Sequence, residues 1–141
     1  MKKIFSILLL MATFAFSADD IAIIKMIEGS PQAKRGEKVI SLNIGDKLKN
    51  NDIIITNSSS KIGVIFNDGS SLTIGESSFL NIEKFEFKPI EDIYKFSLKL
   101  DKGKALFQSG KIGELSPDNF SLKVPDGIIG IRGTKFLVKL N

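Results

Sequence analysis

Phe96-Ser97-Leu98-Lys99-Leu100 returns 24 residues later as Phe120-Ser121-Leu122-Lys123-Val124. In both segments Phe and the aliphatic residues alternate with Ser and Lys. That period of two is the pattern of a strand with one face buried and one face wet. Tyr94 extends the first segment, which is the cleanest alternation in the chain. A glycine follows each segment at the same distance, Gly103 and Gly127. A strand–turn unit that repeats implies stacked β layers. The competing reading is coincidence between two amphipathic strands.

Working outward, short β-branched and aromatic runs are punctuated every few residues by Gly, Asn, Asp and Ser. No helical periodicity lasts beyond a turn or two, which is the signature of an all-β chain. Strands are expected at Ile21 to Ile27, Val39 to Ile44, Ile53 to Thr56, Lys61 to Phe66, Ser71 to Ile74, Phe79 to Phe87, Tyr94 to Leu100, Lys104 to Gln108 and Phe120 to Val124. Asn67-Asp68-Gly69 reads as a hairpin turn, because these residues tolerate positive φ. A bulge is expected near Glu83-Lys84. Ser109 to Asn119 reads as an excursion. The last stretch, Val124 to Val138, reads as two strands hinged at Gly133, with Pro125 at the start, where a missing N–H costs least. The expected fold is a compact stack of short antiparallel strands, solenoid-like or a roll or sandwich, in a single domain.

Residues 1–17 read as an export signal: Lys2 and Lys3 precede an apolar run from Ile4 to Phe16, and Ala15-Phe16-Ser17 suits cleavage before Ala18. Residues 18–141 then form one domain. No later stretch approaches a membrane span. The chain has 20 Lys+Arg and 16 Asp+Glu; without Lys2 and Lys3 the balance is 18 against 16, a net +2. That balance, without a basic run, does not suggest nucleic acid.

Cys, His and Trp are absent. Thiol chemistry, Ser-His-Asp and Cys-His arrangements are therefore excluded, and no cofactor or metal is expected. A carboxylate pair of the glycosidase type remains chemically possible. Yet Asp46, Asp52, Asp68 and Glu76 all fall at turns, where Asp bonds its own backbone. Asn67 to Ser70 and Asp118-Asn119 offer oxygen ligands without a calcium-loop spacing. Gly127, Gly130 and Gly133 lack the Lys-Ser/Thr of a phosphate loop. Arg132 lies between Ile131 and Gly133. Its fork suits a partner carboxylate, or an internal pairing with Asp68 or Asp126. Phe85 and Phe87, flanked by Glu83, Glu86 and Lys88, are candidates for an exposed edge open to β-augmentation. Lys111 and Glu114 in the excursion are a second candidate contact.

Several motifs, in order, are similar to one family. Gly45-Asp46-x-Leu48, Asp52-x-Ile54-x-Thr56 and Ile65-Phe66-x-Asp68-Gly69-Ser70-x-Leu72-x-Ile74-Gly75 resemble the front half of the FecR domain. Leu98-x-Leu100-x-x-Gly103-x-Ala105 resembles its middle. Pro125-x-Gly127, Ile131-Arg132-Gly133-Thr134 and Phe136-x-Val138 resemble its end. The resemblance implies a periplasmic all-β signalling module that binds another protein, such as a transporter or membrane regulator of the envelope, and has no catalytic role. The anti-sigma segment and membrane helix of sigma regulators have no counterpart in these motifs, so a stand-alone domain is expected. Binding of an envelope glycan is the alternative, weakened by the lack of Trp and the presence of only one Tyr.

Overall fold

The computed structural model describes residues 20–131 and 135–140. The expected export signal and Arg132, Gly133 and Thr134 lie outside the described residues. Thirteen strands and one short helix follow one another as β1 (Asp20–Glu28), β2 (Gln32–Arg35), β3 (Lys38–Ser41), β4 (Lys47–Lys49), β5 (Ile53–Ile55), β6 (Lys61–Phe66), β7 (Ser71–Ile74), β8 (Phe79–Lys88), β9 (Ile93–Lys102), β10 (Lys104–Gln108), α1 (Lys111–Leu115), β11 (Phe120–Val124), β12 (Gly127–Ile129) and β13 (Lys135–Lys139). They form a six-stranded sheet in the order β13-β10-β7-β6-β1-β4 and a seven-stranded sheet in the order β12-β11-β9-β8-β5-β2-β3. The fold is all-β.

The two sheets share one core. Phe66 and Phe107 from the six-stranded sheet interleave with Phe85, Phe96 and Phe120 from the other. Ring centroids lie 4.7 Å apart for Phe66–Phe96, 5.5 Å for Phe96–Phe107 and 4.6 Å for Phe107–Phe120. Such contacts add to the burial of large apolar surface that drives the sheets together.

The repeat in the sequence is physical. Phe96, Ser97, Leu98 and Lys99 lie opposite Phe120, Ser121, Leu122 and Lys123 in a parallel, in-register pair. The chain leaves β9, crosses to the other sheet as β10, and returns through α1 to lay β11 beside β9. One coil of chain thus brings like residues together, and the ladder is mixed rather than wholly antiparallel.

Several strand readings change: the strand expected at Val39 to Ile44 is β3 and ends at Ser41, and neither β2 nor β4 was expected. The β2 strand has no β-branched or aromatic residue, so nothing in its composition marks it. It forms because it pairs with β3 and β5, with Ala33 as its buried residue. Pro125 does not begin a strand. With Asp126 it makes the turn of the β11–β12 hairpin, where Val124 faces Gly127.

Candidate partner-binding surface

The aspartates are held by neighbouring backbone. Asp46 accepts a hydrogen bond from the Asn43 N–H at 2.9 Å. Asp52 is fully buried. It accepts the Lys49 N–H at 2.8 Å, and Arg35 Nε and Nη2 at 2.9 and 2.8 Å. That bidentate bond to Asp52 raises the Arg35 pKa above its ordinary value. Asp68 is buried in the β6–β7 turn beside Gly69, whose φ is +85°. Its carboxylate accepts the Ser70 N–H, the Ser70 hydroxyl and the Ile112 N–H at 3.0, 2.8 and 3.1 Å. The Ser70 hydroxyl oxygen in turn accepts the Gly110 N–H at 2.9 Å. The Asp-Gly-Ser turn therefore fastens α1 to the sandwich. Glu76 bonds Lys104, which lowers its pKa. Among the described residues, no three of His, Cys, Asp and Glu gather as metal ligands.

The expected contact residues separate. Phe85 is 2% exposed and sits in the aromatic core, not at an open edge. The β8 register shifts between Ile82 and Lys84. This bulge changes the parity of the strand, so Phe85 turns inward and Lys84 outward. The backbone of Phe85 is closed as well: its N–H donates to Asn50 Oδ1 at 2.7 Å, and its C=O accepts from Asn50 Nδ2 at 3.2 Å. The Asn50 side chain thus occupies the place of a neighbouring strand. Phe87 is half-buried, 6.0 Å from the Tyr94 ring, and lines a groove of about 310 Å3 with Asp20, Asn67 and Lys88. Lys111 and Glu114 are exposed on α1 and pair with each other at 3.2 Å. Arg132, Gly133 and Thr134 fall outside the described residues.

A larger groove, of about 700 Å3, opens where β12 ends one sheet and β13 ends the other. Pro117, Phe120, Ile128, Ile131, Phe136 and Leu137 line it. Ile128 is 69% exposed and Leu137 is 67% exposed. Among the described residues neither strand has a partner on its outer side, so the groove offers backbone donors and acceptors beside apolar side chains. The helix carrying Lys111 and Glu114 borders it, because Gly113 packs against Ile131.

Sequence reasoning missed Arg35, Asn50 and Ile128. Nothing local links Arg35 to a carboxylate 17 positions away. Asn50 sits in an Asn-Asn-Asp turn that shows only its turn chemistry. Ile128 was legible only as part of an aliphatic run. Leu137 shares the exposed face of β13 with Lys135 and Lys139.

No curated protein and no solved structure matches the chain significantly. The family model described as FecR protein matches residues 52–141. That span begins at the buried Asp52 and takes in the aromatic core, the Asp68 turn and both edges of the larger groove. The chain belongs to the FecR family, which is associated with signalling and regulation at the cell envelope.

Proposed function

We propose that this protein is an exported, non-catalytic module that recognises a protein partner in the periplasm or envelope through the groove between β12 and β13. The observation that carries this reading is the pairing of two open strand edges with exposed apolar residues, Ile128 and Leu137, at one site. An extended segment of a partner gains main-chain bonds from such an edge and specificity from the side-chain pockets beside it. Of the candidate carboxylates, Asp46, Asp52 and Asp68 are engaged by backbone N–H groups, and Glu76 pairs with Lys104. The family and the signal-like residues 1–17 support an envelope location.

The test is a photoreactive amino acid at position 128, with crosslinking in living cells and mass spectrometry of the products. The expected result is one discrete envelope protein, captured from position 128 and not from position 39 on β3. Its capture should be lost when the crosslinker at 128 is combined with Phe136→Asp, provided that variant melts cooperatively. Capture of cell-wall fragments alone would replace this reading with glycan binding. Equal yields from both positions would remove the groove from the proposal.

A further inference from the structure

The outward face of the six-stranded sheet is organised in rows that cross the strands. Leu137 lies opposite Leu106, Leu106 opposite Thr73, Thr73 opposite Gly63, and Gly63 opposite Met26. This middle row is apolar, with Leu137 67% and Met26 36% exposed. On one side of it, Lys139 faces Lys104, and Lys61 faces Glu28 two strands further on. On the other side, a row runs from Lys135 through Ile65 and Ile23 to Lys47. Lysines therefore line one margin of the apolar stripe and stand at both ends of the other, where Gln108, Ser71, Ile65 and Ile23 lie between Lys135 and Lys47.

The charge on this face is lopsided. Glu76 is engaged by Lys104, and Asp20 lies 3.8 Å from Lys49. Glu28 is then left against Lys47, Lys61, Lys135 and Lys139, none of which has an ion pair among the described residues. Edge lysines such as Lys135 and Lys139 also serve to block edge-to-edge pairing. That explanation does not reach Lys61 and Lys104 on interior strands. A cross-strand Lys104–Lys139 pair is one that sheet stability alone disfavours.

The shape selects among anionic partners. The six strands make a face about 24 Å wide, and the two margins lie about 13 Å apart. The depression over Leu106, Leu137 and Thr73 is small, at about 210 Å3. A protein partner is usually anchored in a well-packed pocket at the centre of the contact. Here the cations are spread along the margins, and all of them are lysines, which act as point charges on flexible apolar stems. Spread lysines around an apolar centre with only a small depression match a layer of anionic headgroups above acyl chains.

We propose that the outward face of the six-stranded sheet docks peripherally on an anionic lipid surface, with Met26, Leu106 and Leu137 at the headgroup boundary and the flanking lysines on lipid phosphates. The groove between β12 and β13 shares Leu137 with this face, and its other lining residues remain for a protein.

The test is flotation of the full chain with phosphatidylglycerol–phosphatidylcholine vesicles, and with phosphatidylcholine vesicles alone. The charge-reversed K47E/K61E/K139E variant is run beside it. Both proteins carry the same N-terminal segment, so a difference between them reports the sheet face. Tighter binding to the anionic vesicles is expected, weakened by at least about a hundredfold in the variant, since each of three lysines near such a surface contributes about fivefold and reversal removes more than that. If that variant does not melt cooperatively, K47Q/K61Q/K139Q is the replacement, with the same direction of effect. Equal binding by wild type and variant, or no preference for anionic vesicles, overturns the proposal. So does binding to polyglutamate with no binding to vesicles, which would make the face an acidic-protein contact. The Ile128→Asp variant should float like wild type, so failure of the groove reading and failure of this one are separable.

Discussion

Phe96 and Phe120 lie directly opposite each other on parallel strands, 24 positions apart in the chain, with ring centroids 5.2 Å apart and planes at 71°. Both rings also touch Phe107 from the opposite sheet, at 5.5 and 4.6 Å. The repeat in the sequence is therefore a contact that joins the two sheets.

Phe120→Ala should cost about 3–5 kcal/mol, the range for emptying a well-packed aromatic site. Phe120 is 3% exposed and has three ring neighbours, so little can collapse into the space. Urea denaturation measures this directly. A loss below about 1 kcal/mol would mean that the aromatic cluster does not hold the sheets together.

Arg35 and Asp52 should respond unequally to mutation. The Arg35 side chain is 36% exposed and reaches water if its partner is lost, whereas Asp52 is 0% exposed. Arg35→Met strands a buried carboxylate and should cost about 3–5 kcal/mol. Asp52→Asn removes the charge but keeps hydrogen-bonding capacity, so about 1–2 kcal/mol is expected. Chemical denaturation of both variants decides the order; the reverse order contradicts the asymmetry.

Asn50 should protect one amide in particular. Its side chain bonds both backbone groups of Phe85. Asn50→Ala leaves them unpaired at a cost of about 1–2 kcal/mol, and hydrogen exchange at the Phe85 amide should accelerate. Unchanged exchange at Phe85 would show that Asn50 does not close that edge.

Gly110 should not tolerate a side chain. A Cβ there would fall 2.4 Å from the Asp68 carbonyl oxygen and 2.4 Å from the Ser70 nitrogen. Gly110→Ala is expected to lower stability by about 1–3 kcal/mol through overpacking. Gly130 has open space at the same position, so Gly130→Ala is the control and should be near neutral. Equal melting temperatures for the two variants would refute the close packing of α1 on the Asp68 turn.

Much of the fold was legible because its information is local. Short apolar runs between turn residues marked β6, β7 and β10, and alternation marked β11, all at their observed bounds, and Asn67-Asp68-Gly69 marked the turn between β6 and β7. The bulge in β8 was also visible, but its consequence for Phe85 was not. A bulge in a sequence does not say which later residues change face. The candidate site was less legible still. Phe85, read as exposed, is core, and the groove is made by residues of β12 and β13 that meet only because two sheets end side by side.

By itself, the sequence determined the all-β class, the turn chemistry of the aspartates, the repeat and the family motifs. Each depends on residues within a few positions of one another, or on a spacing that can be counted. Only the tertiary structure decided that the repeat is a parallel in-register pair, that Arg35 neutralises Asp52, and that lysines from β4, β6, β10 and β13 share one face. Those relationships depend on how strands distant in the chain are ordered in a sheet. Burial of the common core sets that order, and no single segment carries it.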